Sequence, residues 1–256
     1  MQNKPLWVPA PERIANSRMT DFIRFAQQQD SDLPSDYEAL KRWSVVHKEK
    51  FWQLIWDFFE VLGQRKGTAL ENSNAMPGAK WFPDATLNFS ENLLLYSNYA
   101  EYNEVPAIIA YKETGARNTL TWKQLRQKVA GLTAFLKQLG IGKGDRVAAF
   151  MPNCADTVVA MLATTSLGAV WSSCSPDFGL QGVIDRFGQI QPKLLLATNG
   201  YHYNGKVVDT RERVEAIIDS LDSLECLLWH DYVPDFAVDI RTDVKPMRRL
   251  LSPLYE

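Results

Sequence analysis

No apolar run in this chain is long enough to cross a bilayer. The longest, residues 158–171, is broken by threonine, serine and glycine, whereas a spanning helix needs about 20 predominantly apolar residues. The opening residues, MQNKPLWVPAPER, lack the apolar segment of a secretory leader. Charge excess is also missing: 28 lysines and arginines stand against 30 aspartates and glutamates, a formal net charge of -2. With no global field, nucleic acid and anionic membrane are not expected partners. Cysteine is scarce. Cys154, Cys174 and Cys226 are odd in number and form no CxxC pair, which removes a disulfide framework and a zinc finger and fits a reducing cytoplasm. The three histidines, His47, His202 and His230, stand at no spacing typical of a metal site or a nucleophile. Sequence alone therefore assigns no metal ligands.

What is abundant is core material. Of 256 residues, 46% are hydrophobic, enough for one large or two ordinary domains. The chain is organised around residues 140–177. There, Arg146 to Met151 form a mostly continuous apolar run, as in a strand covered on both faces. Pro152 removes a backbone donor and ends it. Residues 155–167 are small or apolar and read as a largely buried helix, and Gly168 supplies the left-handed conformation that closes it. A second apolar strand begins at Ala169. Strand, helix and strand in this order make a parallel crossover.

Residues 1–62 read as helical. Pro11 opens a first helix with Ile14, Met19, Phe22 and Ile23 near one face. Ser35 and Glu38 form a capping box for a second. Phe51, Ile55, Phe58 and Phe59 line one side of a third, beside Trp52 and Trp56. Few basic residues interleave these rings, so they read as core rather than as a platform for bases. Residues 63–90 show no sustained period and predict a long irregular connection, after which Asn88 and Glu91 cap a short helix.

From Val105 the pattern alternates. A strand spans residues 106–111 and a turn falls at Gly115. Thr121 and Gln124 then cap a long helix carrying Leu125, Val129, Leu132, Leu136 and Leu139. Further strands are expected at residues 193–197 and 224–229, with helices at 181–191 and from Asp209. This alternation predicts an α/β fold with a mainly parallel sheet and helices on both faces. Ligands of such sheets sit beyond the carboxyl ends of the strands, here near residues 151–154, 172–178 and 198–206 and His230.

Two glycine motifs face that test. Gly140-Ile141-Gly142-Lys143-Gly144 lies between a helix and the next strand, the wrong order for a dinucleotide loop, and reads as a cap and turn. Residues 200–206 match G-x-x-x-x-G-K, but Val207 stands where a P-loop needs Ser or Thr for Mg²⁺, and Tyr201, His202 and Tyr203 are bulky for a phosphate cradle. Lys206 remains a point-charge partner for a phosphorylated ligand. Cys154 and Cys174, near the expected ligand edge, read as buried small hydrophobes.

Several motifs occur together in order: Trp43-Ser44, Met76-Pro77-Gly78, Trp81-Phe82-Pro83, Glu91-Asn92-Leu93, Gly144-Asp145-Arg146-Val147, Met151-Pro152-Asn153 and Gly168-Ala169-Val170. In this the chain resembles the N-terminal part of the acyl-CoA synthetases, within the adenylate-forming superfamily. Residues 168–179 and 201–206 resemble the acetoacetate-activating branch more closely than the acetate-activating one. The resemblance implies a helical N-terminal cap over residues 1–100 and an incomplete AMP-binding α/β domain over residues 101–256. It also implies an acid–thiol ligase using ATP, Mg²⁺ and coenzyme A through an acyl-adenylate, with Asp177, Phe178 and Lys206 bordering coenzyme A. The family's Ser/Thr/Gly-rich phosphate loop, ribose-holding acidic residue and catalytic lysine have no counterparts here, so no catalytic residue is assigned. Residues 243–256 do not resemble the family, and the reading is of a truncated or frameshifted product whose last strand lacks a partner and which aggregates. The alternatives are a non-catalytic interaction module and a P-loop-like nucleotide binder.

Overall fold

The computed structural model describes residues 6–30, 33, 35–234, 236 and 248–251. The chain divides into two compact units, Met1–Leu87 and Asn88–Glu256.

In the first unit, helices α1 (Pro11–Ala15), α2 (Arg18–Gln29), α3 (Tyr37–Val46) and α4 (Lys48–Phe58) follow one another. The single first helix expected from the sequence is interrupted at Asn16, because the Ser17 hydroxyl accepts the Thr20 N–H at 3.2 Å and caps α2 afresh. Asp36, rather than Ser35, caps α3, accepting from the Ala39 N–H at 2.9 Å. Ile14 and Met19 are consequently exposed, while Phe22, Ile23, Ala26, Leu33, Leu40 and Leu54 form the core. The Phe22 ring meets Phe51 and Phe58 edge to face at 5.9 and 5.3 Å, the arrangement the ring quadrupoles favour. The connection that follows is less irregular than expected. It carries two antiparallel pairs of two-residue strands, β1 (Gly63–Gln64) with β4 (Thr86–Leu87), and β2 (Leu70–Glu71) with β3 (Lys80–Trp81).

The second unit opens with α5 (Phe89–Leu93), capped as expected by Asn88, whose Oδ1 accepts from the Glu91 N–H at 3.1 Å. Strand β5 (Pro106–Tyr111) forms an antiparallel hairpin with β6 (Arg117–Thr121). It is thus not a strand of the central sheet, contrary to the simple alternation read from the sequence. Helix α6 (Trp122–Gln138) carries the full capping box of Thr121 and Gln124 and buries Leu125, Val129, Leu132 and Leu136.

Then come β7 (Arg146–Phe150), α7 (Ala155–Ser166), β8 (Val170–Cys174), α8 (Leu180–Ile190), β9 (Leu194–Thr198), β10 (Gly200–Tyr203), β11 (Lys206–Asp209), α9 (Arg211–Ser220), β12 (Cys226–His230) and β13 (Arg248–Leu251). The central sheet runs β13-β12-β9-β7-β8, all parallel. One face, with Val147, Ala149, Leu194, Leu196 and Leu228, packs into a core with α6 and α7. The other, with Ala148, Phe150, Leu195, Ala197, Leu227 and Trp229, packs with α8 and α9. The period of two along each strand assigns consecutive residues to opposite cores, which is why these strands read as unbroken apolar runs. β12 is not the edge strand expected, since the backbone of β13 pairs with it. The rest of the dissimilar tail, residues 243–247 and 252–256, lies outside the described residues.

Residues 200–209 are a β-hairpin rather than a loop. Asn204 and Gly205, with φ of 50° and 72°, make its turn, and positive φ at both positions is what a two-residue turn between twisted strands needs. Helix α9 starts at Arg211, not at Asp209. Among the described residues, no helix is long and apolar enough to cross a membrane.

Candidate functional site

The carboxyl ends of the parallel strands carry two groupings of polar residues. β9 lies between β7 and β12, while the chain passes from β7 to β8 on the other side. The strand order thus reverses beside β7, the position where open α/β sheets bind ligands.

The first grouping joins the segment after β8 to the β10–β11 hairpin. Ser175 Oγ donates to Asp177 Oδ2 at 3.0 Å and fixes that carboxylate. Arg213 Nη1, from α9, donates to the Pro176 carbonyl at 2.7 Å. The Tyr201 hydroxyl lies close to both Asp177 and Arg213; burial first, then the Asp177 carboxylate, push this phenol above its ordinary value. Phe178 is 41% exposed, and the Arg186 guanidinium lies 4.7 Å from its ring centroid, within cation–π range. Arg211 grips Asp209 through both carboxylate oxygens at 3.0 Å, and that guanidinium holds the Asp209 carboxyl below its ordinary value.

Of the residues the resemblance named, Asp177 and Phe178 share one loop, tied to α9 through Arg213 with Tyr201 beside it. Lys206 stands exposed at the turn end of the hairpin opposite Tyr203 and makes no hydrogen bond or ion pair with either. The sequence reading missed Tyr201 and Arg213 as the tie. No local spacing links them to Asp177, because the sheet, not the chain, brings them together. Gly200 sits where a Cβ would come within 2.8 Å of the Val208 carbonyl and 2.7 Å of the Phe236 ring, so glycine is needed for this close approach.

The second grouping was not anticipated. Cys154 stands immediately before α7, Asp156 lies in its first turn, and His230 ends β12. One donor atom from each lies within 4.8 Å of the others, and His230 Nε2 is 3.5 Å from Asp156 Oδ2. Cys154 and His230 are buried. Burial raises the Cys154 thiol and lowers the His230 imidazole, the latter against the pull of Asp156 and Asp231. A cavity of about 110 Å³ opens beside them, bordered by Asn153, Asp231, Tyr232 and Lys112.

Mg²⁺, which the resemblance implied, prefers oxygen ligands in octahedral geometry. Among the described residues the one grouping of three metal-capable donors is this Cys/Asp/His set, whose sulfur and nitrogen do not fit it.

The parallel α/β fold carries its candidate residues at the carboxyl edge of the sheet, and residues 96–244 match the model of the AMP-binding enzymes. The chain belongs to that family. Residues 37–93 match a second model, the acetyl-coenzyme A synthetase N-terminus. Within the family the particular likeness is to acetoacetyl-CoA synthetases. The acetoacetyl-coenzyme A synthetase of Rhizobium meliloti is 45% identical over 218 residues, covering 85% of this chain and 33% of that protein. The malonamoyl-CoA synthetase of Penicillium aethiopicum is 37% identical over 218 residues, 84% of this chain and 30% of that protein. The solved structure of acetoacetyl-CoA synthetase from Streptomyces lividans superposes with a TM-score of 0.85 at 38% identity, covering 92% of this chain and 36% of that one. The chain spans about a third of the length of the curated relatives it matches.

Proposed function

We propose that this chain is the N-terminal portion of an acetoacetate–CoA ligase acting in the cytoplasm, with a helical cap over residues 1–100 and part of the AMP-binding domain over residues 101–256. The observation that carries the reading is the superposition at TM-score 0.85 and 38% identity over 92% of the chain. In the reaction, a carboxylate oxygen of acetoacetate attacks the α-phosphorus of ATP and displaces pyrophosphate. The thiolate of coenzyme A then attacks the acyl carbon of the adenylate and displaces AMP. The acids in the names of two relatives, acetoacetate and malonamate, both carry a carbonyl at the third carbon, which supports a short 3-oxo acid as the substrate class. On this reading the phosphate loop, the ribose-holding acidic residue and the catalytic lysine belong to other parts of the ligase, and the present residues serve as scaffold and as part of the coenzyme A surface. Phe178 offers an exposed ring for the adenine and Lys206 a cation for its phosphates.

The test is a chimera in which residues 37–230 replace the matching segment of the Streptomyces lividans enzyme. Retained acetoacetate-dependent pyrophosphate release, with kcat/KM within about tenfold of the parent, supports the reading. A folded chimera that activates acetate but not acetoacetate overturns the substrate. In the same chimera, Lys206→Ala is expected to raise the KM for coenzyme A and leave pyrophosphate release unchanged. An unchanged KM removes Lys206 from the coenzyme A surface.

A further inference from the structure

We propose that Cys154, Asp156 and His230 form a binding site for a single borderline-soft divalent cation of the zinc type, with the adjoining cavity supplying the remaining coordination position. The inference is independent of the ligase reading and concerns an ion the adenylation chemistry does not call for.

Three observations carry it. The donors are one thiol sulfur, one carboxylate oxygen and one imidazole nitrogen, all within 4.8 Å of one another. In a tetrahedral zinc site with bonds of about 2.0 to 2.3 Å, neighbouring donors lie roughly 3.3 to 3.8 Å apart. The 3.5 Å between His230 Nε2 and Asp156 Oδ2 is already at that separation. The set comes from two elements that the sheet fixes, the start of α7 and the end of β12. The sulfur is further held by Thr157, whose Oγ1 lies 3.3 Å from Sγ and donates to the Pro152 carbonyl at 2.7 Å. Preorganised donors of this kind lower the cost of binding. Third, the cavity of about 110 Å³ gives room for a solvent ligand, and three protein ligands plus solvent is the open zinc arrangement.

The mixture of sulfur, nitrogen and oxygen selects against Mg²⁺ and Ca²⁺ and for Zn²⁺ or Co²⁺. Two carboxylates, Asp156 and Asp231, and two ammonium groups, Lys112 and Lys128, act on His230, and their formal charges cancel. The Lys112 ammonium is placed over the Tyr232 ring, 4.4 Å from its centroid. Loss of the thiol proton on binding leaves the group one negative charge in excess, which a dication more than compensates.

The test uses the full chain, freed of metal with a chelator and titrated with Co²⁺. One equivalent is expected to produce a near-ultraviolet thiolate-to-cobalt band with tetrahedral absorption in the visible, and one equivalent of Zn²⁺ to bleach both. A hundredfold excess of free Zn²⁺ over its Kd is expected to raise Tm by about 5 °C. Cys154→Ser abolishes the sulfur band, and Cys174→Ser leaves it intact. Absence of the band in the native chain, or its persistence in Cys154→Ser, overturns the site. Should Cys154→Ser fail to fold, the native chain still decides: Zn²⁺ is expected to shield Cys154, and neither Cys174 nor Cys226, from a thiol-alkylating reagent. Equal labelling of all three with and without Zn²⁺ overturns the proposal.

Discussion

Helix α4 of the first unit is apolar at six of its eleven positions and buries Leu54 alone, whereas β9 of the second unit buries all five of its residues. Composition does not account for the difference. α4 packs one flank on the α2 and α3 core, while Trp52 and Trp56 meet the rings of Trp81 and Phe82 at 5.8 and 5.1 Å and keep contact with solvent. β9 lies inside a sheet with helical cores on both faces. Burial therefore follows the number of layers an element sits between. An apolar run predicts burial only once those layers are known.

The comparison can be broken by truncating one ring on each side. Phe187→Ala, at a fully buried position facing the α8–α9 core, is expected to cost about 3–5 kcal/mol. Phe59→Ala, at 53% exposure in the first unit, is expected to cost about 0.5 kcal/mol or less. Urea unfolding checks both, and equal losses would end the explanation by layers.

Asn199 sharpens it further. This buried side chain donates to the Val233 carbonyl at 2.7 Å and accepts the Val233 N–H at 3.0 Å. Asn199→Ala strands both backbone groups and is expected to cost about 2–3 kcal/mol, with faster hydrogen exchange at the Val233 amide. Thr121→Ala, which removes half of the α6 capping box, is expected to cost about 1 kcal/mol, and Thr121→Ser to restore most of it.

The smallest effect is at Tyr201. Its folded phenol holds its proton above the ordinary value near 10.0, so the stabilisation is present below about pH 10 and is lost as pH rises through the folded value. Tyr201→Phe should flatten the fall in urea midpoint between about pH 9 and pH 11. An unchanged fall would place its cause elsewhere.

The elements of the second unit were legible wherever a local rule decided them. The capping box at Thr121, the β7–α7–β8 crossover and the apolar strands all appear within a residue or two of their expected places. The likeness to acyl-CoA synthetases was legible in motif order. Errors arose where two local signals competed. Ser17 outweighed the continuity of one long helix, and Asn204-Gly205, a hairpin signal, was hidden within an apparent phosphate-loop match. The Cys154, Asp156 and His230 grouping was illegible for another reason: two of its members follow β7 at the start of α7, the third ends β12, and only a sheet order that sets β9 alone between β7 and β12 brings them together.

Strand β9 has one more consequence. In a one-sided sheet, a slip of one residue exposes apolar side chains and is rejected at once. β9 is apolar on both faces, so such a slip would exchange one greasy surface for another and polarity would not register the error. The information must come from the strand's ends. Lys193, just before it, donates its ammonium to the Gly140 carbonyl at 2.9 Å and its backbone N–H to the Arg146 carbonyl at 2.9 Å. Asn199, just after it, is locked to Val233. These two polar residues act as the punctuation of a word whose letters are otherwise nearly identical.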